Sequence, residues 1–185
     1  IHAEFVAKLV ERAKKLVPGD PLDPKTRLGS LVNEKQMKTV LGYIETGVKE
    51  GARIVAGGQR QPVNGKGWFV QATVLDGVDN RMKVAQEEIF GPVLAVIPFD
   101  DVEDAVRMAN DNPFGLAAGV WTRDVKKAHA VARRLRAGTV WINMYNFYDP
   151  AMPFGGTKAS GFGRDLGEEC LLGYTQVKSV WMNIE

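Results

Sequence analysis

The stretch that decides the fold is Val93–Asn143, VLAVIPFDDVEDAVRMANDNPFGLAAGVWTRDVKKAHAVARRLRAGTVWIN. It opens on a continuous apolar run, Val93–Phe99, of the kind a strand buried on both faces carries. From Asp101, residues Val102, Ala105, Val106 and Ala109 recur at helical spacing. Asn112-Pro113 stops that helix, because the residue before proline is pushed out of the helical region. Leu116–Trp121 is the next strand. Asp124 caps a second helix, with Val125, Ala128, Val131, Ala132 and Leu135 facing a core, and Gly138 closes it. Thr139–Asn143 is a third strand. Strand and helix alternate at crossover spacing, so the chain is α/β, with a mainly parallel sheet and flanking helices.

Working toward the N-terminus, Trp68–Leu75 is rich in strand formers, and Arg53–Ala56 is a short strand. Asn33 with Gln36 three residues on has the spacing of a capping box. Met37, Val40, Leu41, Ile44 and Val48 form one helical face behind it, and Gly51 ends it. Residues 2–17 read as an amphipathic helix, stopped by Pro18-Gly19-Asp20-Pro21. Toward the C-terminus the periodicity breaks. Residues 144–164 hold four glycines, two prolines and several aromatics with no period. A long irregular segment after a buried strand is more often functional than decorative, and in open parallel sheets ligands bind beyond the carboxyl ends of the strands. Thr175–Asn183 alternates again and reads as a terminal strand, pairing with this domain or with a neighbouring subunit.

The 185 residues amount to about one domain. Net charge is +2, from 24 basic and 22 acidic residues spread along the chain, so no nucleic-acid partner is expected. No apolar run reaches the ~18 to 20 residues of a membrane span, and Ile1–Leu16, mixing apolar residues with Glu4, Lys8, Glu11, Arg12, Lys14 and Lys15, does not read as a signal peptide. A cytoplasmic placement is expected. The single cysteine, Cys170, excludes a disulfide framework or a Cys-based zinc cage, and with apolar neighbours after it reads as a buried, inert thiol. The start at Ile1, running straight into helical periodicity, suggests a chain cut from something longer or processed.

Common nucleotide signatures are missing. Gly161-Phe162-Gly163 has Leu166 where a dinucleotide fingerprint needs its third glycine, and Gly65-Lys66 is followed by Gly67. Ser160 is in no nucleophile elbow. Two motifs remain. Gln86-Glu87-Glu88-Ile89-Phe90-Gly91-Pro92 places two carboxylates and an aromatic just before a buried strand. It is either a solvated loop or a ligand site, because a carboxylate accepts two ribose hydroxyl protons well and Phe90 offers a flat apolar face. Pro153–Asp165, PFGGTKASGFGRD, clusters glycines that permit close backbone approach, to a ligand or to another strand.

In this order and separation the motifs resemble the aldehyde dehydrogenase superfamily along essentially the whole chain. Gly19-Asp20-Pro21, Leu41-Gly42-Tyr43-Ile44 with Gly47, Glu50-Gly51-Ala52, Gly57-Gly58, Glu87–Pro92, Ala109-Asn110 with Phe114-Gly115-Leu116, Gly138–Asn143 and Pro153–Asp165 follow in register. The resemblance is to the C-terminal part: most of the catalytic domain at residues 1–173 and an oligomerisation strand at 174–185. The family's Rossmann-type NAD(P) domain, nucleophilic cysteine, general-base glutamate and oxyanion-hole asparagine lie upstream of the matched region, and Cys170 is on the wrong side of the Glu88 motif to be that nucleophile.

The resemblance implies NAD(P)+ as cofactor and an aldehyde as substrate, oxidised to the acid by covalent catalysis through a thioester. It implies that Glu88 binds the ribose hydroxyls on the nicotinamide side and that Phe90 lies against the nicotinamide. Gln36 corresponds to a glutamine near that ribose, with the capping role ahead of it. Thr39 stands where the family often has a lysine near the cofactor. Phe154 corresponds to the aromatic lining the substrate tunnel, with Asn146, Tyr148 and Met152 in the variable loop that shapes the pocket. An aryl-acetaldehyde-like substrate or a cationic, betaine-aldehyde-like one would suit such a pocket, the first slightly better, since only Asp149 could pair a cation. Asp165 stands where many members carry a proton-relaying glutamate. The backbone carbonyls of Lys158 and Gly161 correspond to a potassium site of some members. The tail strand implies a homodimer or homotetramer. The chain alone is expected to be inactive; a stand-alone oligomerisation module or regulatory pseudo-enzyme is the alternative.

Overall fold

The computed structural model describes residues 1–185, which pack as two compact units, Ile1–Phe99 and Asp100–Glu185. The first begins with α1 (His2–Lys15) and α2 (Glu34–Glu50). Asn33 caps α2, its side chain accepting from the Gln36 amide at 2.9 Å. Gly51 ends the helix in the left-handed region at φ 114°, where its N–H reaches back to Gly47 and Val48. β1 (Arg53–Ala56) pairs antiparallel with β2 (Thr73–Asp76). β2 pairs in parallel with β3 (Val93–Ala95), after the single turn of α3 (Lys83–Gln86). Met37, Val40 and Ile44 of α2 sink into a core with Val70, Leu75, Val78 and Val84.

The strands are shorter than the apolar runs predict. Trp68–Leu75 yields a ladder only from Thr73, because Val70 sits in an isolated bridge with Arg60. Residues 96–99 leave the sheet after β3, although the Val96 amide still bonds the Leu75 carbonyl.

The second unit holds α4 (Val102–Asn110), β4 (Phe114–Gly115), β5 (Ala117–Val120), α5 (Val125–Ala132), β6 (Thr139–Ile142), β7 (Thr157–Lys158) and a 3-10 segment, Glu168–Tyr174. β5 and β6 run parallel across the α5 crossover, as the spacing predicts. β4 and β7 pair antiparallel. The α/β class stands, with three small sheets mixing parallel and antiparallel pairs. α5 stops at Ala132, earlier than Gly138 would suggest, and the chain continues through turns. Gly138 instead serves a close approach: a Cβ there would collide with the Gly155 carbonyl. Residues 175–185 form no helix or strand and pair with no strand of this chain, and Val177 and Trp181 lie almost fully exposed. No helix is long and apolar enough to cross a membrane.

Candidate functional site

In the first unit the Glu87–Pro92 segment is a loop held at several points. The Tyr43 hydroxyl donates to Glu87 Oε2 at 2.7 Å, and Lys83 Nζ lies 3.6 Å from the same oxygen. The hydrogen bond to Glu87 holds the phenol proton of Tyr43 and raises its pKa above the ordinary tyrosine value. Gln36 does not fold back on its own helix start, as a capping box would have it. Its Nε2 donates to the carbonyls of Ile89 and Phe90, both at 3.0 Å. The helix cap is Asn33 alone, and the Gln36 side chain is released to grip the loop.

That grip fixes a costly backbone. Phe90 sits at φ 52°, a left-handed conformation that bulky residues rarely adopt. The ring is consequently 71% exposed beside Glu88. Behind the loop Gly91 packs on Val40, leaving no room for a Cβ. The two carboxylates of the motif therefore differ. Glu87 is bound to Tyr43 and Lys83, whereas the Glu88 carboxylate is exposed with no hydrogen bond or ion pair. Glu88 and Phe90 stand together on a pinned loop, both turned to solvent. Thr39, by contrast, spends its hydroxyl on the Lys35 carbonyl of its own helix.

In the second unit the irregular segment is organised by aromatic contacts. Trp141 of β6, 8% exposed, donates its indole N–H to the Phe147 carbonyl at 2.8 Å. Its ring meets Tyr145 with centroids 4.9 Å apart and Tyr148 edge-on at 5.7 Å. Tyr148 in turn meets Phe154 edge-on at 5.0 Å, a geometry aromatic quadrupoles favour. The Tyr148 hydroxyl donates to Asn146 Oδ1 at 2.8 Å, with Asn146 in the left-handed region at φ 60°. Three predicted pocket residues, Asn146, Tyr148 and Phe154, are thus joined, while Met152 is 65% exposed and outside the ring contacts. Trp141 is the hub of these contacts, and the one sequence feature that marks it is its place near the carboxyl end of β6, just before the aperiodic loop. The Asp149 carboxylate accepts from the Ala151 amide at 2.9 Å, within its own turn.

Phe154 and Asp165 exchange backbone hydrogen bonds at 2.7 Å each way, and both line an open cleft of about 940 Å³. The Asp165 carboxylate is exposed. Cys170 borders the same cleft and is half-buried, not buried as its apolar neighbours suggest, because the 3-10 segment 168–174 buries none of its residues. Lys158 and Gly161 belong to one turn. The Lys158 carbonyl accepts the Gly161 amide at 3.2 Å, and Lys158 Nζ donates to the Asn110 and Asn112 carbonyls. Two carbonyls in a turn, one already accepting an N–H, fall short of the roughly six oxygens a hard cation gathers. Among side chains, no cluster of three or more His, Cys, Asp or Glu could hold a metal.

Comparison with known proteins gives one consistent result. Residues 1–180 match the family described as the aldehyde dehydrogenase family. A betaine aldehyde dehydrogenase of Mesorhizobium japonicum is 48% identical over 184 residues, 98% of this chain and 38% of that protein. The mitochondrial aldehyde dehydrogenase of Homo sapiens is 46% identical over 184 residues, all of this chain and 35% of that protein. Among solved structures, the NAD+ complex of an aldehyde dehydrogenase from Bacillus cereus superposes with a TM-score of 0.94 at 49% identity, over 100% of this chain and 37% of that one. The P. syringae indole-3-acetaldehyde dehydrogenase solved with NAD+ and IAA gives 0.95 at 49% identity, with the same coverage. The chain spans little more than a third of the length of the relatives it matches.

Proposed function

The chain belongs to the aldehyde dehydrogenase family, and from that premise we propose that it supplies the nicotinamide-ribose contact and the aldehyde-pocket wall of an NAD(P)+-dependent oxidation of aldehydes to acids. The observation that carries this reading is the division between Glu87 and Glu88. One carboxylate is consumed in holding the loop; its neighbour is left free beside an exposed aromatic ring. A free carboxylate accepts two vicinal hydroxyl protons, which is ribose chemistry. Phe90 adds an apolar face for a flat ring, and the strained backbone under it is held ready by Gln36.

Bound NAD(P)+ supplies the hydride acceptor. Glu88 orients the ribose, Phe90 limits the positions of the ring beside it, and Tyr148 with Phe154 offers an apolar wall that excludes water from an aldehyde. The thiolate that attacks the aldehyde is not assigned to this chain, whose one cysteine lies in the 3-10 segment after Asp165. For Asp165 we propose a proton-relay role, supported by its exposed carboxylate in the Phe154 cleft. The tail, residues 175–185, is proposed to pair with a second copy, because it exposes Val177, Val180, Trp181, Met182 and Ile184 and pairs with no strand here. An aryl aldehyde is favoured over a cationic one: Asp149, the acid nearest in sequence, is turned to Ala151.

Calorimetric titration of the chain with nicotinamide mononucleotide tests the ribose contact. Glu88→Gln, which keeps the shape and removes the charge, is expected to weaken binding about tenfold; unchanged affinity overturns the assignment. With NAD+ or NADP+ and a panel of aldehydes, the chain alone is expected to produce no NAD(P)H above a protein-free blank.

A further inference from the structure

We propose that the cleft between the carboxyl ends of β5 and β6 and the first turns of α5 is a binding site for aryl carboxylates, separate from the contacts described above. It is an open cleft of about 420 Å³, within the range of small-molecule sites. Ala128, 2% exposed, and half-buried Ile142 form an apolar floor, with Val125 on one side. Trp121 forms a wall, its ring 63% exposed. Its inner neighbour is Tyr145, with centroids 6.2 Å apart and planes tilted by 30°.

The polar groups of the cleft separate into satisfied and unsatisfied sets. The Thr122 amide donates to Asn143 Oδ1 at 2.9 Å, and Asn143 Nδ2 donates to the Thr122 carbonyl at 2.9 Å. That closed pair offers little to a ligand. Arg123 and His129 also line the cleft, and neither side chain makes a hydrogen bond or ion pair. The acid between them in sequence, Asp124, is occupied in capping α5, accepting the Lys127 amide at 3.1 Å. Lys126 and Lys127 lie on the same helix, each without an acidic partner. The cleft therefore combines an apolar floor, one exposed indole face and the guanidinium of Arg123, which has no carboxylate partner. That chemistry selects a flat apolar body bearing a single carboxylate, and disfavours both a neutral analogue and a cation. An aryl carboxylate is also the product class of an aryl aldehyde oxidation, so the site would hold product or a related acid away from Glu88 and Phe90.

Calorimetry on the chain with phenylacetate, 2-phenylethanol, benzyltrimethylammonium and hexanoate tests this. Phenylacetate is expected to bind at least about tenfold more tightly than any of the other three. The double variant Arg123→Gln/His129→Gln is expected to lose about tenfold in phenylacetate affinity with an unchanged circular dichroism spectrum, whereas Tyr148→Ala is expected to leave it within about twofold. Equal binding of the alcohol or the cation, affinity retained in the double variant, or affinity lost in Tyr148→Ala overturns the site. Equal binding of hexanoate overturns its aryl selectivity. These outcomes are independent of nicotinamide mononucleotide binding, so either reading can fail without the other.

Discussion

A carboxylate's neighbours decide what it can do, and Asp76 shows this as clearly as the Glu87–Glu88 pair. Asp76 ends β2 with its side chain 8% exposed, receiving His2 Nε2 at 2.8 Å and Arg53 Nη2 at 2.7 Å. Burial opposes its ionisation, but the hydrogen bonds from Arg53, the Gly77 amide and His2 outweigh that cost, and its pKa lies below the usual carboxylate value. A carboxyl with a lowered native pKa stabilises the fold above its unfolded pKa of roughly 3.9, and that stability is lost as pH falls through the native value. Asp76→Asn is expected to cost about 1–3 kcal/mol at neutral pH and to flatten the acid limb of a urea-midpoint-against-pH curve. An acid limb identical to that of the parent would show that Asp76 does not govern it. The surface pair Asp79–Arg81 pulls Asp79 down to about 2 as well, through side-chain and then backbone hydrogen bonds. It lies at the surface, and replacing it is expected to matter little.

At the scale of elements, the joint where β6 begins is the most demanding. Gly138 donates its amide to the Gly115 carbonyl at 3.0 Å and passes directly under Gly155. Gly138→Ala is expected to destabilise the second unit by about 3 kcal/mol or more, since the obstacle is backbone that cannot rotate away. Thermal unfolding would register this as a lower midpoint, and an unchanged midpoint would mean that the backbone yields. Helix starts were legible in the sequence, as was the stop of α2, because Asn33, Asp124 and Gly51 act locally and the structure uses each as a cap, whereas α5 ends at Ala132 and not at Gly138. The strand-helix-strand order was legible for the same reason of local periodicity. Strand lengths were not, because a residue such as Val96 can be buried without a full ladder, and apolar runs report burial alone. Glu88 and Phe90 could be singled out by residue type. The contacts that prepare them, from Gln36 and Tyr43, span more than 40 residues and carry no periodic signal. For Gln36 a local pattern pointed to the wrong partner.

For the molecule as a whole, the tail is the segment that pairs with no strand of this chain. Because residues 175–185 pair with no strand here, deleting them is expected to leave the unfolding free energy within about 0.5 kcal/mol of the parent. The same deletion is expected to lower the number of chains per particle in solution, and an unchanged association state would remove the tail from assembly. The aromatic run Trp121–Tyr145–Trp141–Tyr148–Phe154, each ring within 6.2 Å of the next, has a consequence of a different kind. Indole and phenol transitions held this close and at fixed mutual angles couple excitonically. The run therefore acts as a built-in optical gauge: a signed couplet in the ultraviolet dichroism of the native chain would collapse as soon as the loop after β6 let go of Trp141, well before the helices melt.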